Sequence, residues 1–195
     1  MKILVISDLH NDQPILRKLD ILLGKEKFDL AIIPGDINNP HPNNIDYVEA
    51  LDNIFIKHDL RWLAVHGNND PSEVINYLNK KDLNLHYKPQ DIGGYHLEGI
   101  GGWGYDLPPY KLTLDQKTIL VTHIPPRNHD SNPPKIQNTP LIHLAGHLHH
   151  LQKYYDLTNT LVINIPSAKS TNHYAILNLP NKTPTFHTLP GISYL

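Results

Sequence analysis

The sequence predicts an α/β fold with a parallel sheet in its first half and a second sheet packed against it. Two patterns lead to this prediction. Over residues 1–80, short apolar runs alternate with stretches in which apolar residues recur at helical spacing, in the order β-α-β-α-β-α. From residue 83 onward helical spacing is nearly absent, and short strand-like segments follow one another between Gly, Pro and Asn turns. We therefore expect the second sheet to be mixed or antiparallel.

The predicted strands of the first half are continuous apolar runs, as is typical of buried parallel strands. Pro14 opens the first predicted helix, in which Leu and Ile recur at three- and four-residue spacing until Gly24 ends it. The spacing over residues 45–57 predicts a second helix, and Pro71 opens a short third helix that ends near Leu78. The three strands span residues 3–6, 30–33 and 62–65.

The second half is predicted to be almost entirely strands and loops. The stretch from Pro125 to Pro140 holds five prolines and has no apolar period, so it is expected to be a surface loop. The predicted strands are residues 83–87, 95–100, 110–114, 118–123, 140–145, 161–165, 173–179 and 184–189.

The composition limits the classes of function. At about 150 residues per domain, a chain of 195 residues without repeats or a linker predicts one domain over residues 1–195. The absence of cysteine excludes disulfides, cysteine zinc sites and thiol nucleophiles. A formal charge of -2 gives no basis for an extended nucleic-acid or membrane surface. The first apolar run is short and is followed at once by Asp8, so we expect no signal peptide and a cytoplasmic protein.

Five predicted strands end in side chains that bind metals. The carboxyl ends of strands in an open α/β sheet line the crevice where ligands bind, so these side chains are expected to converge. They are Asp8 and His10 after the first strand, Asp36 after the second, Asn68 after the third, His123 after the strand at 118–123, and His147 and His149 after the strand at 140–145.

Carboxylate, amide and imidazole ligands together suit divalent ions such as Mn²⁺, Fe²⁺, Zn²⁺ and Co²⁺. Seven such side chains are too many for one catalytic ion with an open position, and they suit two ions that share a carboxylate. In Asp8-x-His10 and His147-x-His149 we expect both side chains to leave the same side of an extended chain, because strand side chains alternate. Glycine precedes three of the ligands, where it allows the backbone to turn tightly.

These motifs, in this order over about residues 1–165, resemble the signature of the calcineurin-like metallophosphoesterases. The segments 101–103, 122–126 and 164–168 are similar to its small phosphodiesterase-like branch. The resemblance implies a four-layer fold, with two mixed β-sheets sandwiched between helices. The motifs read Asp8-x-His10, Gly35-Asp36, Gly67-Asn68-x-Asp70, His123 and Gly146-His147-x-His149.

The resemblance also implies two divalent metal ions per chain, with Asp36 as the bridging ligand. Mn²⁺ is the expected ion, and Fe²⁺, Zn²⁺, Ni²⁺ and Co²⁺ are alternatives. The first ligand set comprises Asp8, His10, Asp36 and His149. The second ligand set comprises Asp36, Asn68, His123 and His147.

Two divalent ions about 3.5–4 Å apart clamp a phosphate and lower the pKa of a bridging water. The expected function is therefore hydrolysis of phosphodiesters, nucleotide-like or other small phosphate esters, by attack of a metal-bridging hydroxide. Asp70 is expected to orient its neighbours, and Arg127 to bind phosphate from a loop. The residues expected to take part in catalysis are Asp36, Asn68, Asn69, Asp70 and Arg127.

Asn69 departs from the commonest family pattern, which has a histidine there as the proposed general acid. Asn cannot donate a proton as an acid does, and general acid catalysis contributes about 10²–10⁴ in rate. Either another group acts, with His129, His66 and His41 as candidates, or the leaving group needs little help.

Several interpretations stay open at this point. A non-catalytic metal-binding scaffold on the same fold is the main alternative, and a mononuclear hydrolase is a third. Trp103 and Tyr105 lie in a Gly-rich turn, where they stack on a nucleobase or cap the edge of the core. No Asp-Arg-Gly follows Asp36, which argues against a protein serine/threonine phosphatase. The expected partner is a small phosphate-ester substrate, without a membrane, and a homo-oligomer is compatible with the sequence.

Overall fold

The computed structural model describes residues 1–40, 45–102, 112, 114–126, 139–155 and 159–191. These residues form two mixed β-sheets, one of five and one of six strands, with helices. The predicted α/β fold with two mixed sheets is thereby confirmed. The helices are α1 (Gln13–Lys25), α2 (Asp46–Lys57), α3 (Ser72–Lys80) and α4 (Ala168–Thr171). The strands are β1 (Lys2–Val5), β2 (Leu30–Ile33), β3 (Trp62–Ala64), β4 (Gln90–Ile92), β5 (Tyr95–Ile100), β6 (Thr118–Thr122), β7 (Ile142–Ala145), β8 (Gln152–Tyr155), β9 (Leu161–Asn164), β10 (His173–Asn178) and β11 (Thr185–Thr188).

The first sheet has the order β11-β10-β1-β2-β3. The neighbouring strands β1, β2 and β3 run parallel, as the alternation of strands and helices predicts. The strand β10 returns from the end of the chain and pairs antiparallel with β1, with Leu4 opposite Ile176. The expectation that every strand of the second half belongs to the second sheet is therefore wrong for β10 and β11.

The second sheet has the order β4-β5-β6-β7-β9-β8, with four parallel central strands and an antiparallel strand at each edge. The edge strands β4 and β8 were not predicted, because their polar sequences lack an apolar run. Residues 83–87, predicted as a strand, form only isolated bridges from Asn84 to Ala64 and from His86 to Gly99. Most of the strand predicted at 110–114 lies outside the described residues.

Two apolar cores hold the layers together. The first core lies between the helices and the first sheet, where Leu19 of α1 and Phe55 of α2 pack with Leu4 and Ile33. The second core lies between the sheets and joins side chains such as Val5 and Val121. All four described helices contribute to the first core, so a helical layer over the second sheet is not among the described residues.

Helix α1 begins after Asp12, whose carboxylate accepts a hydrogen bond of 3.2 Å from the backbone N–H of Ile15. It continues past Gly24, the predicted end, to Lys25. Helix α3 begins at Ser72, directly after Pro71. None of the helices among the described residues has the length and apolar content that crossing a membrane would require.

Candidate metal centre

The carboxyl ends of β1, β2 and β3 in the first sheet meet those of β6 and β7 in the second sheet. The structure brings all seven predicted ligand side chains together at this junction. In the first ligand set, one ligand atom from each residue lies within 4.8 Å of the others. The Nε2 atoms of His10 and His149 are 3.2 Å apart, and His149 Nε2 lies 3.4 Å from Asp8 Oδ1.

The second ligand set is equally close. Asn68 Oδ1 lies 2.9 Å from His123 Nε2 and 3.0 Å from His147 Nδ1. Asp36 joins the two sets, because its Oδ2 atom lies 3.4 Å from His123 Nε2 and 3.6 Å from His10 Nε2. One carboxylate oxygen therefore faces histidines of both sets.

These distances fit the two-ion hypothesis. Two ligand atoms bound to one ion at about 2.1 Å lie about 3.0 to 3.5 Å apart when the angle between them is octahedral or tetrahedral. Six pairs of neighbouring ligand atoms are separated by 2.9 to 3.6 Å, and His10 Nε2 lies 4.0 Å from Asp8 Oδ1. The donors are carboxylate and amide oxygens and imidazole nitrogens, which suit first-row divalent ions. Both the spacing and the chemistry of these side chains thus fit two first-row divalent ions.

The backbone at the ligands is not extended. The φ angle is positive at Asp8 (55°), His10 (48°), Asp36 (51°), His147 (71°) and His149 (59°). The expectation that side chains in Asp8-x-His10 and His147-x-His149 converge by strand alternation is therefore wrong. Left-handed residues in tight turns aim them instead, and Asp and His adopt this conformation more readily than most residues. Each such residue stores about 1 kcal/mol or more of strain, which the surrounding structure must offset.

Two glycines make this packing possible. Gly35 has a φ of +97°, a conformation that L side chains rarely adopt. Gly67 is needed for space, since a Cβ atom there would lie 2.0 Å from Asp36 Oδ1 and 2.3 Å from the Asp36 backbone nitrogen. Of the glycines predicted to form tight turns, Gly35 is needed for its positive φ and Gly67 for the close approach of Asp36.

Hydrogen bonds behind the ligands fix their orientation. The Nδ1 atom of His123 lies 2.8 Å from the Pro34 carbonyl, which can only accept, so Nδ1 donates there and Nε2 is the ring atom that faces Asp36 and Asn68. Nε2 would bind an ion after losing its own proton. Asp70 does not supply a ligand atom to either set. Its two carboxylate oxygens accept hydrogen bonds of 2.7 Å from the backbone N–H groups of Asn38 and Gly67. Asp70 is thus placed to hold the two loops that carry Asp36 and Asn68.

The charges in the centre are strongly coupled. Burial raises the pKa of Asp36, but hydrogen bonds from His123 and Asn69 outweigh it and bring that pKa down to about 2. The hydrogen bond with Asp8 raises the pKa of His149, whereas burial lowers the pKa of His10. The opposite directions agree with the 3.2 Å contact between the two Nε2 atoms, which cannot both carry a proton.

Comparison with known proteins identifies the family. The family model of the calcineurin-like phosphoesterase superfamily domain matches residues 1–182. The chain belongs to this superfamily. No curated protein matches the chain in sequence.

Solved structures agree with this assignment at the level of the fold. The protein TT1561 of Thermus thermophilus is 16% identical, with 97% of this chain and 99% of that chain covered and a TM-score of 0.75. A novel archaeal phosphodiesterase is 18% identical over 97% of this chain and 100% of its own, with a TM-score of 0.63. The phosphoesterase YfcE from E. coli is 17% identical over 97% of this chain and 100% of its own, with a TM-score of 0.52.

In this superfamily member, Asn69 binds the shared carboxylate. Its backbone N–H donates to Asp36 Oδ1 at 2.9 Å, and its Nδ2 donates to Asp36 Oδ2 at 2.7 Å. The side chain at the position of the family's proposed acid therefore orients Asp36. His66, a candidate for the acid, is half-buried beside His86 and His123. Its partial burial and, to a smaller extent, these two rings lower its pKa to about 4. Its ring is neutral near pH 7, which makes it a poor proton donor.

Other sequence-based expectations fall outside the described residues. These are the phosphate-binding role of Arg127, the acid candidates His41 and His129, and the aromatic side chains Trp103 and Tyr105.

Three residues support the ligand loops in ways that sequence reasoning did not predict. Asn39 Nδ2 donates to the His10 carbonyl at 3.0 Å, and Asn164 Nδ2 donates to the His150 carbonyl at 2.7 Å. Ser167 Oγ donates to the Asp8 carbonyl at 3.0 Å. The family resemblance marked the segment 164–168 as a match, but no local pattern indicates which distant carbonyl each side chain contacts.

Proposed function

We propose that the protein is a dinuclear metal-dependent phosphodiesterase that acts on small phosphate esters, nucleotide-like or otherwise. One observation carries this proposal. Asp36 Oδ2 lies 3.4 Å from a histidine of the second ligand set and 3.6 Å from a histidine of the first. A single carboxylate between two complete ligand sets is the arrangement needed to hold two ions side by side.

Two divalent ions would clamp the phosphate, activate a water as the nucleophile and stabilise the leaving oxygen. The residues of the chain hold and orient this centre. Asp8 and Asp36 are fully buried, whereas the His149 side chain is 43% exposed. We infer that the substrate approaches from the side of His149. The two carboxylates offset only part of the charge of two divalent ions, so the loaded centre would attract an anionic phosphate.

The preference for diesters over monoesters rests on the resemblance to the small phosphodiesterase-like branch, and the group that replaces the usual acid bears on the leaving group. Asn69 donates to Asp36 and cannot protonate a leaving group, and His66 is neutral near pH 7. Substrates whose leaving group needs little protonation are therefore favoured. Mn²⁺ as the native ion and the cytoplasm as the location stay predictions.

The test is hydrolysis of bis(p-nitrophenyl) phosphate by metal-stripped protein, with and without added Mn²⁺, and with p-nitrophenyl phosphate as the monoester. We expect Mn²⁺-dependent release that is faster for the diester and abolished by EDTA. Asp36→Asn should remove the activity, and Asp91→Asn should retain it. Asp91 undergoes the same chemical change on an exposed edge strand, where it pairs with His96. Circular dichroism of both variants checks that they are folded.

The alternative is a non-catalytic metal-binding scaffold, and the same experiment separates it. Release by the wild type no faster than by Asp36→Asn, with several divalent ions tried and metal bound, would favour the scaffold. Metal analysis that gives one ion per chain together with turnover would favour a mononuclear hydrolase.

A further inference from the structure

The connection from β9 to α4 crosses from the second sheet to the first directly behind the first ligand set. Ser167 lies in this connection and is fully buried. Its hydroxyl donates to the carbonyl of Asp8 at 3.0 Å, and its backbone N–H points to the carbonyl of His149 at 3.4 Å. The Ser167 Oγ atom also accepts a hydrogen bond of 3.2 Å from the N–H of Ser170, which caps α4.

Ser167 therefore contacts the backbone of two ligands that come from different sheets. Asp8 follows β1 in the first sheet, and His149 follows β7 in the second. In the part of the chain that the structure describes, Ser167 is the one residue whose hydrogen bonds reach the carbonyls of both. The N–H of the neighbouring Ala168 donates a hydrogen bond of 2.8 Å to the Ser7 carbonyl, which also attaches the connection to the segment that follows β1.

Both ligands need such support. Asp8 and His149 have φ angles of 55° and 59°, which are strained for residues with a side chain. Their ligand atoms lie 3.4 Å apart, a spacing that only holds if the two sheets keep their positions at this point. The Lys169 N–H also points to the Asp8 carbonyl, at 3.4 Å, so the 3.0 Å bond from Ser167 is the shorter of two hydrogen bonds there. We expect its loss to let the strained backbone relax and to widen the site.

We propose that Ser167 is a positioning residue that sets the spacing of Asp8 and His149 and so selectively tightens metal binding by the first ligand set. This inference rests on the proposed two-ion function. The second ligand set has independent supports, since the Pro34 carbonyl orients His123 and Asp70 holds Gly67. Removal of the Ser167 hydroxyl should therefore weaken one ion and spare the other.

The experiment is calorimetric titration of metal-stripped full-length protein with Mn²⁺. Ser167→Ala should weaken one of the two binding steps by about 10- to 100-fold, the range found when an outer partner of a metal ligand is removed. The other step should stay within about twofold. In a His147→Ala background, which disables the second ligand set, Ser167→Ala should weaken the remaining step by the same factor. Ser167→Cys, with a weaker donor, should give an intermediate loss.

Thr118→Val provides the matched control. It also removes a fully buried hydroxyl, which donates to Asp115 Oδ1 at 2.9 Å, but at the opposite end of β6 from the centre. It should leave both Mn²⁺ affinities unchanged, and thermal unfolding of the metal-free variants measures the stability that each has lost. Equal weakening of both binding steps by Ser167→Ala, or no weakening of either, would overturn the inference about Ser167. If the wild type binds two ions in the same experiment, the proposed function still stands. A wild type that binds fewer than two ions would overturn the proposed function and this inference with it.

Discussion

The substitution Asp70→Asn has two expected effects that are measured separately. It changes how the stability of the metal-free protein depends on pH, and it loosens the loop that carries Asn68. Burial raises the pKa of Asp70 from 3.8 to about 6, and this outweighs the hydrogen bonds that its carboxylate accepts from Gly67 and Asn38. A carboxyl group with a raised folded-state pKa binds its proton more tightly in the folded state than in the unfolded state. Its contribution to stability is therefore present below the unfolded pKa and is lost as the pH rises through the folded pKa.

The magnitude follows from the two pKa values. A shift from 3.8 to about 6 corresponds to a loss of about 3 kcal/mol of stability over the full titration of Asp70. About 2 kcal/mol of this falls between pH 4.5 and 7.5. Asparagine does not titrate and lacks this loss. Whatever the changed hydrogen bonds cost, the free energy of unfolding of Asp70→Asn should rise relative to wild type by about 2 kcal/mol between these pH values.

Urea denaturation of the metal-free proteins at both pH values, followed by tryptophan fluorescence, measures this difference. The same variant should bind Mn²⁺ more weakly by about 10- to 100-fold, because its amide cannot accept from both N–H groups as the carboxylate does. Asp115→Asn is the control: hydrogen bonds from the Lys117 backbone and the Thr118 hydroxyl lower the pKa of Asp115, so its charge does not change between these pH values and the variant should show no such difference. A stability difference for Asp70→Asn that is the same at pH 4.5 and 7.5, or that moves in favour of the wild type, would refute the reasoning.

Two further substitutions test how Asp36 is held. Asn69→Ala removes the 2.7 Å hydrogen bond to Asp36 Oδ2 but keeps the backbone bond to Oδ1. We expect the Mn²⁺ affinity, measured by calorimetry, to fall by about 10- to 100-fold. An unchanged affinity would contradict the role assigned to Asn69. Gly67→Ala places a Cβ atom 2.0 Å from Asp36 Oδ1 and displaces a carboxylate that belongs to both ligand sets, so it should weaken binding of both ions. Gly191→Ala, with nothing within 4 Å, should have no effect, and metal analysis of both variants decides this.

The parallel half of the fold was predictable because its signals are local. Leu30–Ile33 forms a strand as predicted, and the residues that follow each apolar run lie where the carboxyl ends of strands meet. The structure therefore brings the predicted ligands together, although sequence spacing says nothing of their distances.

The return of β10 to the first sheet was not predictable in the same way. The apolar pattern of His173–Asn178 fits either sheet, and the choice depends on long-range packing against β1. The edge strand Gln152–Tyr155 gives no apolar signal at all, since it gains its strand conformation by pairing with β9.

The aim of the ligand side chains shows what pattern reasoning lacks. The ligand side chains converge as predicted, but not because side chains alternate along an extended strand. Five of the ligands have positive φ angles and lie in tight turns. At about 1 kcal/mol or more each, this strain sums to about 5 kcal/mol, comparable with the net stability of a small domain. Such turns persist only where other contacts hold them, and those contacts come from residues far away in sequence. Ser167 and Asp70 are therefore as informative about the centre as the ligands, because the ligand types indicate which ions bind and the supporting hydrogen bonds determine where the ligands stand.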